Sequence, residues 1–270
     1  MIDIHHHCLP GVDDGPREWD EAVEMCRIAA EEGIETIVAT PHVLRGRWPT
    51  PERADLESRI ATLREKTNDT PRLLLGSEYF FAHDMAEVLQ QNGGPIVPLA
   101  GGRYVLVELA ANAVPPLIEQ PLYRIQLDGW TPIIAHPERN LILQSHPELV
   151  VEWIEHGARM QITAGSLTGD FGPEAQRASH EWIRSGLVHF VATDAHNTTR
   201  RTPRIAAALA ALRELAGAEV AEALTVHNPR AVVENRALDF DPDPVQPEVG
   251  GLLTRLRGFF GRKGPTISRP

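Results

Sequence analysis

Histidine and carboxylate residues recur along this 270-residue chain at spacings that could build a metal centre. His5 and His7 form a His-x-His pair near the start, and Asp194 and His196 form an Asp-x-His pair further on. Ligand-type residues also occur between the two pairs, at Asp13, Asp14, His42, Glu78, Glu108 and His136. Imidazole nitrogens mixed with carboxylate oxygens, without thiolates, are typical donors in Mn, Fe and Zn centres. The set exceeds the needs of one ion and predicts two or three divalent cations bridged by carboxylates.

Short apolar runs precede most of these residues and predict the strands that would position them. The candidate strands are residues 1–4, 36–39, 73–76, 104–107, 132–135, 159–163 and 188–192. Segments of helical periodicity lie between and after them, near residues 17–32, 51–66, 83–92, 115–128, 146–156, 173–185 and 203–216. Strands that alternate with helices indicate a parallel α/β fold, either closed into a barrel or arranged as a doubly wound sheet.

The candidate ligands occur at the ends of six of the seven predicted strands. In parallel α/β barrels the carboxyl ends of the strands meet at one face, where the loops form the site. Each residue alone also fits an ordinary role, such as a turn, a helix cap or a surface ion pair. Burying the whole set at one barrel mouth would be costly without a metal, so the set as a whole favours a metal centre.

The composition limits the class of protein. Apolar residues make up 42% of the chain, enough for a packed core, and no run approaches the ~18 apolar residues of a membrane span. The start lacks a basic region followed by an apolar segment, so no secretory signal is predicted. The two cysteines, Cys8 and Cys26, cannot form a disulfide framework. These features predict a cytoplasmic protein.

Charge divides the chain into an acidic body and a basic end. Through Gly250 there are 21 basic and 37 acidic residues, a net charge of −16, whereas the last twenty residues carry +5. Because phosphate neutralisation dominates general nucleic-acid binding, the acidic body argues against a nucleic-acid partner. A metal-dependent exonuclease is disfavoured for the same reason.

The organisation predicted is one compact catalytic domain over residues 1–235, followed by a Pro-rich linker and a basic amphipathic tail over residues 236–270. Apolar residues of the tail share one helical face, namely Leu252, Leu253, Leu256, Phe259 and Phe260. One interpretation is a frayed terminus or a short helix docked on the body. The other is a weak membrane-surface or partner contact through residues 250–263, which would place the protein at the inner face of the membrane.

Nucleophilic phosphatase signatures are missing. Neither Cys8 nor Cys26 has an arginine six positions later, and there is no Gly-x-Ser-x-Gly elbow or Gly-x-x-x-x-Gly-Lys loop. Residues 165–169 are predicted to form a tight loop at the rim of the site. The remaining histidines are predicted to lie on the surface or on helices; they are His6, His83, His146, His156, His180, His189 and His227. Of these, His6 is predicted to point away from its neighbours His5 and His7.

The combination of motifs resembles the polymerase-and-histidinol-phosphatase (PHP) metallohydrolases. Within that group it is most similar to the bacterial manganese-dependent protein-tyrosine phosphatases of capsule and exopolysaccharide biosynthesis. The matching segments are residues 1–5, 9–15, 39–42, 134–140, 162–169 and 194–197. The resemblance covers residues 1–235. Relatives often have a second histidine where this chain has Val43, and a phenylalanine where it has Leu109, differences that touch the pocket wall.

This resemblance implies a distorted (β/α)7 TIM-like barrel, the PHP fold, with up to three metals, commonly Mn, with Fe or Zn as alternatives. Nine ligands carry over: His5, His7, Asp14, His42, Glu78, Glu108, His136, Asp194 and His196. Glu78 is the expected bridging carboxylate, and Asp13 is the alternative to Asp14. The implied substrate is phosphotyrosine in the tail of a bacterial tyrosine autokinase that controls polysaccharide synthesis.

The mechanism expected is hydrolysis of a phosphate monoester by in-line attack of a metal-bound hydroxide. Arg139 and Arg201 are the expected phosphate clamps, because a guanidinium binds two phosphate oxygens at once; the alternative for each is a surface salt bridge. His196 or Asp194 would protonate the leaving group. Arg45 and Arg47 would meet an acidic or phosphorylated peptide.

Two other functions fit the same residues. A small-molecule phosphatase, such as histidinol phosphatase, would use the same ligand set. A catalytically idle metal-binding protein that docks on a polysaccharide assembly would keep the metals without turnover. Comparing a phosphotyrosyl peptide with histidinol phosphate as substrates separates the first alternative, and full metal loading without hydrolysis of any phosphoester would favour the second.

Overall fold

The computed structural model describes residues 1–91, 93–245 and 247. Within these ranges nine strands pair in parallel and form two hydrogen-bonded groups. The first group contains β1 (Ile2–His6), β2 (Thr36–Ala39) and β4 (Arg72–Leu75), in that order. The second runs in chain order through β3 (His42–Val43), β5 (Glu78–Phe80), β6 (Tyr104–Glu108), β7 (Thr131–Ala135), β8 (Arg159–Thr163) and β9 (Phe190–Ala192).

Two of the seven predicted strands are bent rather than simple. β2 continues into β3 across Thr40 and Pro41, and proline cannot donate a ladder hydrogen bond. β4 continues into β5 across Gly76 and Ser77. Backbone bonds hold the paired bends together, since Gly76 N–H donates to Ala39 O at 2.8 Å and Glu78 N–H to Pro41 O at 3.0 Å. Each bent pair therefore acts as one strand of a seven-strand arrangement.

The arrangement closes between its first and last strands. His6 pairs with Ala195 in a parallel bridge just beyond β9. Asp194 N–H donates to His5 O at 2.9 Å, and His7 N–H donates to Ala195 O at 2.9 Å. Seven parallel strands that close in this irregular way form the distorted barrel that the motifs predict.

Helices surround the barrel and cover its outer face. In the described ranges these are α1 (Trp19–Glu31), α2 (Arg53–Thr67), α3 (Met85–Leu89), α4 (Glu119–Leu127), α5 (Leu141–Ser145), α6 (Pro147–Glu155), α7 (Ala164–Thr168), α8 (Pro173–Arg184), α9 (Ala206–Glu222) and α10 (Asn228–Val233). Short 3₁₀ turns lie at Leu99–Gly101 and Pro137–Arg139, and a π-helical turn at Ala223–His227 joins α9 to α10. No helix in the described part of the chain is long and apolar enough to cross a membrane.

The alternation of strand residues builds two apolar layers. One cluster fills the barrel below the strand ends with Ile4, Val38, Leu106, Ile133 and Phe190, contributed by five strands. The other packs the outward-facing strand residues against the helices and includes the fully buried Leu56 of α2 and Trp182 of α8. Because the interior is filled with side chains, the open end of the barrel at the carboxyl ends of the strands is where the ligand residues meet.

Most predicted elements lie close to their observed bounds, and a few predictions were wrong. Residues 165–169, predicted as a tight loop, belong instead mainly to α7, which ends at Gly169 in a left-handed conformation. β1 extends through His6, so His5 lies within the strand rather than after it. The last helix continues from the predicted end at residue 216 to Glu222 across a kink at Gly217.

The chain after α10 packs on the body before the description ends. Phe240 N–H donates to the Asn228 side chain at 2.9 Å, and Asn228 returns a bond to Phe240 O at 2.7 Å. Asp241 lies 3.3 Å from His189 Nε2 and accepts a hydrogen bond from Arg159. The predicted amphipathic segment over residues 250–263 lies outside the described residues.

Candidate metal centre

Nine side chains converge at the carboxyl ends of the strands. They fall into four overlapping groups, and in each group the potential ligand atoms lie within 4.8 Å of one another. The groups are His7, Asp14, His42 and His196; His5, Glu78 and His136; His5, His7 and Asp194; and His42, Glu78 and Glu108. The structure therefore brings together all nine residues expected to be ligands, although they span 192 positions of the sequence from His5 to His196.

Three of the histidines are held by a hydrogen bond at Nδ1. His5 Nδ1 lies 2.7 Å from Gln161 Oε1, His7 Nδ1 lies 2.7 Å from Asp13 Oδ2, and His196 Nδ1 lies 2.9 Å from Asp194 O. Since these oxygens only accept hydrogen bonds, Nδ1 carries the hydrogen and Nε2 is left with its lone pair. This is the arrangement that orients metal-ligating histidines.

The arrangement leaves two lone pairs facing each other. His5 Nε2 and His7 Nε2 lie 3.2 Å apart, and both rings are fully buried or nearly so. Two acceptor nitrogens at this distance repel each other unless a proton or a cation lies between them. The donor set therefore fits a cation shared by the two imidazoles.

Glu78 occupies the centre of the cluster. Its Oε2 lies 2.8 Å from His42 Nδ1, 3.3 Å from His7 Nε2 and 3.4 Å from His5 Nε2. Its Oε1 lies 2.9 Å from His136 Nε2. One fully buried carboxylate thus approaches four imidazoles, which is the geometry of a carboxylate that bridges cations.

Several buried atoms of the cluster make no hydrogen bond in the described part of the chain, including His42 Nδ1, Glu78 Oε2, Glu108 Oε2, Asp194 Oδ1 and His196 Nε2. Buried polar atoms are ordinarily hydrogen-bonded. The His42 and Glu78 atoms lie close to each other, and Glu108 Oε2 forms an ion pair with Arg45, but no hydrogen bond satisfies any of the five atoms. Such a convergent set fits divalent cations, because coordination to a cation would satisfy every one of these atoms. The residues present therefore fit a centre of two or three ions.

Asp13 and Asp14 have different surroundings, which separates the two candidates. Asp13 accepts hydrogen bonds from Gly15 N–H at 2.9 Å and His42 N–H at 3.0 Å, besides its contact with His7 Nδ1. Asp14 Oδ1 lies 3.2 Å from His196 Nε2 and 3.4 Å from His42 Nε2. Asp14 therefore faces the cluster, whereas Asp13 supports His7 from behind.

The charge states suit cation binding. Burial opposes ionisation of Glu78 and Asp194, but nearby histidines, and for Asp194 also Arg201 and Arg139, hold the pKa of each carboxyl well below its usual range. Burial lowers the pKa of His136 to about 3 and that of His196 to about 4. At neutral pH these four groups are therefore carboxylates and neutral imidazoles, the forms that bind metal.

His7 behaves differently because of Asp13. Burial disfavours its charged form, but the Asp13 carboxylate and its hydrogen bond raise the pKa of His7 well above its ordinary value. A cation at His7 Nε2 therefore competes with a proton, so metal affinity should weaken as the pH falls.

Two of the candidate ligands have left-handed backbone conformations. His136 has a φ of 36° and Asp194 a φ of 53°, both unusual for residues with a side chain. Such conformations each cost of order 1–3 kcal/mol and persist only where the surroundings fix them. Backbone strain at two ligands is consistent with a site whose geometry serves function.

Arg139 and Arg201 meet at the same carboxylate oxygen. Arg139 Nη2 lies 2.9 Å and Arg201 Nη2 lies 2.6 Å from Asp194 Oδ2. The Arg139 guanidinium also lies over the Phe171 ring, 4.6 Å from its centroid. Both side chains therefore border the cluster, and each forms its salt bridge with the buried Asp194.

An open cavity of about 240 Å³ lies over the cluster. Three arginines line it, Arg45, Arg139 and Arg201, and Arg45 also forms an ion pair with Glu108. Leu109, Ala111 and Pro137 supply the apolar part of the wall. A larger cavity of about 400 Å³, between α4 and α6, contains none of the expected ligands.

The loop after His42 brings an aromatic ring to the site. Trp48 stacks on the His42 ring, with centroids 5.3 Å apart and planes 4° from parallel. Arg47, from the same loop, lies over the Trp48 ring, with its guanidinium carbon 5.0 Å from the ring centroid. Arg47 does not line the cavity, unlike Arg45.

Sequence reasoning missed several supporting residues. Gln161, Trp48 and Phe171 contact His5, His42 and Arg139, respectively, yet glutamine and aromatic residues give no ligand signal. Glu138 is fully buried and accepts hydrogen bonds from Thr163 N–H and Ser166 Oγ–H. Its place directly before Arg139 in the sequence was the one signal that could have identified it.

Two histidines were wrongly predicted to lie on the surface or on helices. His6 is fully buried within β1, and its ring nitrogens make no hydrogen bond in the described structure. It belongs to none of the four ligand groups. His189 is fully buried just before β9, where Met160 N–H donates to its Nδ1 at 3.2 Å. Tertiary packing of these strand segments outweighs the polarity that suggested exposure.

A parallel α/β barrel with imidazoles and carboxylates clustered at its mouth defines a class of metal-dependent hydrolases. The chain belongs to the capsular polysaccharide synthesis family CpsB/CapC, whose model matches residues 1–234. This match confirms the predicted family, and the relatives described next confirm the predicted phosphatase function.

Curated relatives are named as tyrosine-protein phosphatases. YwqE of Bacillus subtilis strain 168 is 36% identical over 264 residues, covering 96% of this chain and all of the relative. CpsB of Streptococcus pneumoniae is 30% identical over 245 residues, covering 88% of this chain and all of the relative.

A solved structure shares the fold. It belongs to the crystal structures of YwqE from Bacillus subtilis and CpsB from Streptococcus pneumoniae, described as unique metal-dependent tyrosine phosphatases. The TM-score is 0.85 at 36% identity, with 92% of this chain and 99% of the solved chain covered. The predicted barrel fold is confirmed by this likeness.

Proposed function

We propose that this chain is a metal-dependent protein-tyrosine phosphatase with two or three divalent cations, Mn in preference to Fe or Zn. The nine ligands proposed are His5, His7, Asp14, His42, Glu78, Glu108, His136, Asp194 and His196. The observation that carries the proposal is the convergence of nitrogen and oxygen atoms from these nine side chains, eight of which are buried and five of which have a buried atom without a hydrogen bond in the described structure. Membership of a family whose curated relatives are tyrosine-protein phosphatases supports the reaction.

The donor set supports hard to borderline divalent cations. Five imidazoles and four carboxylates, with neither cysteine among them, match Mn, Fe or Zn better than copper or a thiolate site. When bound, such cations lower the pKa of a coordinated water to ~7 and offset the charge of a phosphate group. The chain itself supplies the orientation of the ligands and a walled, partly apolar cavity.

Arg139 and Arg201 are proposed to hold the phosphate. Both guanidinium groups lie at the rim of the cavity and share Asp194 Oδ2. A planar guanidinium can bind two phosphate oxygens at once, and Phe171 fixes the plane of Arg139 from below. Arg45, on the opposite side of the cavity beside Glu108, adds a third positive group.

His196 and Asp194 are the candidates to protonate the leaving phenolate. His196 Nδ1 is tied to the Asp194 carbonyl at 2.9 Å, which leaves only Nε2 facing the cluster. Asp194 keeps its carboxylate ionised because burial is outweighed by His5, Arg201 and Arg139. Burial lowers the pKa of His196 to about 4, so its Nε2 is also unprotonated at neutral pH. Either group would therefore have to take up a proton in the site before passing it to the phenolate.

The substrate proposed is phosphotyrosine in the tail of a bacterial tyrosine kinase that controls capsular or exopolysaccharide synthesis. The family description places its members in capsular polysaccharide synthesis. The open mouth lined by Arg45, Arg139 and Arg201 suits a phosphorylated segment of a protein more than a fully enclosed small molecule.

The location proposed is the cytoplasm, at the inner face of the membrane. Two buried free cysteines, Cys8 and Cys26, suit a reducing compartment. The basic residues after Glu248 would contact acidic lipid or a partner there. Vesicle sedimentation of the full chain against a chain ending at residue 247 tests the tail, and equal sedimentation would reject the contact.

The activity is tested by removing and restoring the metal. The chelator-treated full chain should lose hydrolysis of p-nitrophenyl phosphate and of a phosphotyrosyl peptide, and Mn²⁺ should restore both. His136→Ala should lower kcat/KM by about 10³-fold or more, since loss of one ligand atom disturbs a centre that provides several kcal/mol of transition-state stabilisation. The matched control is His156→Ala, because His156 is exposed on the far end of α6.

The alternatives predict different results in the same assay. Faster turnover of histidinol phosphate than of the phosphotyrosyl peptide would favour a small-molecule phosphatase. Full metal loading without hydrolysis of any phosphate monoester would favour an idle docking protein. Activity that survives thorough chelation and His136→Ala would rule out the metal-dependent mechanism.

A further inference from the structure

A fully buried carboxylate lies beside the centre without belonging to it. Asp3, on β1, has no exposed surface and is not a member of any of the four ligand groups. Its two oxygens accept bonds from three donors: His5 N–H at 3.3 Å, Thr193 N–H at 3.1 Å and Thr193 Oγ–H. His5 belongs to β1, whereas Thr193 directly follows β9 and lies 190 positions from Asp3 in the sequence.

The bond to His5 coincides with an irregularity in β1. Asp3 pairs with Ile37 and His6 with Ala39, so two residues of β1, Ile4 and His5, face the single residue Val38. This is a β-bulge, in which one extra residue is left without its ladder partner. Asp3 accepts the His5 N–H that the bulge leaves free.

The bulge decides which way the first two ligands point. Without it, strict alternation would place Ile4 and His5 on opposite faces of the strand. With it, Ile4 stays in the barrel interior while His5 and His7 both reach Glu78 and Asp194. Bulges beside active sites commonly re-aim a side chain in this way.

The bonds to Thr193 act on the other side of the centre. Thr193 directly precedes Asp194, whose φ of 53° is unfavourable for a residue with a side chain. Thr193 Oγ also accepts Ala195 N–H at 3.2 Å, so one hydroxyl links Asp3 to the turn that presents Asp194. The same turn pairs with β1 through Asp194 N–H and His5 O at 2.9 Å.

We propose that Asp3 is a positioning residue of the metal centre, which fixes the β1 bulge and the Asp194 turn relative to each other and thereby places His5 and Asp194. The proposal rests on the proposed metal site. Asp3 contacts the backbone of His5 and of Thr193 but none of the candidate ligand atoms, so its effect is transmitted through His5 and Asp194. A purely structural role would lower the stability of the fold without changing how the folded protein binds metal.

The experiment compares two variants of the full chain, each of which exchanges a buried carboxylate and a buried carboxamide in one direction. Asp3→Asn replaces one carboxylate oxygen by an amide NH₂ group, at a fully buried residue that accepts three hydrogen bonds. Asn228→Asp makes the reverse exchange at another fully buried residue with three hydrogen bonds, to His189 O and Phe240. Mn²⁺ affinity is measured by equilibrium titration of chelated protein, and the visible spectrum of the Co²⁺-loaded protein reports ligand geometry.

Asp3→Asn should weaken Mn²⁺ binding by about 10–100-fold, the usual effect of losing an outer support of a metal ligand, and should alter the Co²⁺ spectrum. KM for a phosphotyrosyl peptide at saturating Mn²⁺ should stay within about twofold, because Asp3 contacts none of the arginines that line the cavity and bound Mn²⁺ holds Asp194 in place. Asn228→Asp should keep the wild-type Mn²⁺ affinity and Co²⁺ spectrum. Wild-type affinity in Asp3→Asn, or equal losses in both variants, would overturn the proposal.

Thr193→Val decides the question if Asp3→Asn does not fold. Valine matches threonine in shape but removes the hydroxyl between Asp3 and the Asp194 turn. We expect about 5–20-fold weaker Mn²⁺ binding, within the range for outer-support losses, and unchanged affinity would overturn the proposal. A wild-type chain that binds no divalent cation would instead defeat the proposed function, so the two failures are distinct.

Discussion

At the scale of single residues, the centre depends on which nitrogen each imidazole presents. His5, His7 and His196 each bind an acceptor through Nδ1, so Nε2 of each points to the cluster. The acceptors differ in kind: an amide oxygen, a carboxylate and a backbone carbonyl. The carboxylate of Asp13 has the largest effect because it also raises the pKa of its histidine.

Asp13 and Asp14 are expected to fail in different ways. Asp13→Asn should keep its bond from Gly15 N–H but lose the anion behind His7, so Mn²⁺ affinity should fall about 10–100-fold. Asp14→Asn should remove a ligand atom from the group of His7, His42 and His196 and lower the metal content by one ion per chain. Elemental analysis and Mn²⁺ titration of both variants measure these effects. The reverse assignment would follow if Asp13→Asn lost the ion and Asp14→Asn kept it.

The sequence predicts the residue types well but not their division of labour. Strand-end positions indicate eight of the nine cluster residues, because each lies at or just after the end of an apolar run. The ninth, Asp14, comes from the family resemblance. The adjacent pair Asp13 and Asp14 cannot be separated in that way. The separation depends on Gly15, at which an added Cβ would lie 2.4 Å from His7 O, so the loop passes close to β1 and turns Asp13 toward His7 Nδ1.

At the scale of elements, the seven apolar runs predict the barrel strands because buried parallel strands are continuously apolar. The same pattern does not predict the short strands β3 and β5. They have two and three residues, respectively, and continue an earlier strand past a proline and a glycine. α7 escapes prediction because a five-residue helix has too few residues for a periodic pattern.

The bulge in β1 is the element that sequence reasoning most needed. Ile2 and Ile4 are spaced for one face, and His5 and His7 are spaced for one face, but the two pairs have opposite parity. That mismatch is the sequence signal of an extra residue. It was not enough to predict a bulge, because a strand that ended at Ile4 would explain the same spacing.

The buried His189, which lies beside the segment that follows α10, is expected to make the fold sensitive to acid. Burial lowers the pKa of His189, although Asp241 opposes the shift. A histidine with a lowered pKa binds fewer protons folded than unfolded, so its contribution to stability is present above pH ~6.5 and is lost as the pH falls below it. The pKa of Asp241 is also lowered, chiefly by His189, which adds a loss at lower pH.

This effect is measured by chemical unfolding with chelator present, from pH 7 to pH 4.5. His189 alone should lower the free energy of unfolding of wild type by up to ~1.4 kcal/mol for each pH unit of acidification. His136 and His196, whose pKa values are also lowered, add to the decline in wild type and variants alike. His189→Asn should show a shallower decline, and His156→Asn, at an exposed histidine, should match wild type. Parallel declines for wild type and His189→Asn would contradict the assignment.

At the scale of the whole molecule, the net charge of the body is opposite in sign to the arginines that line the cavity. The body through Gly250 carries a net charge of −16, yet three arginines line the cavity over the cluster. An anionic substrate would meet general repulsion and local attraction. The charges of bound cations and of Arg45, Arg139 and Arg201 together are expected to outweigh the distant acidic residues, because salt screens charges beyond ~8–10 Å.

The same scale shows what the barrel contributes. Residues that are up to 191 positions apart meet within a few ångströms because parallel strands deliver their carboxyl ends to one face. The interior below is filled by apolar side chains from five strands, so the ligands cannot retreat into it. Function is thus confined to the open end, where the loops after β1, β3, β7 and β9 supply the arginines and acidic residues.

The most direct measurement is anomalous diffraction from crystals of the full chain grown with Mn²⁺, recorded just above the manganese absorption edge. We expect two or three peaks within roughly 2.0–2.3 Å of the Nε2, Nδ1 and carboxylate oxygens of the nine side chains, the range of such metal–ligand distances. Glu78 should lie between two of the peaks. Peaks elsewhere on the molecule, or none beside His7, Glu78, His136 and Asp194, would contradict the metal centre on which the proposed phosphatase depends.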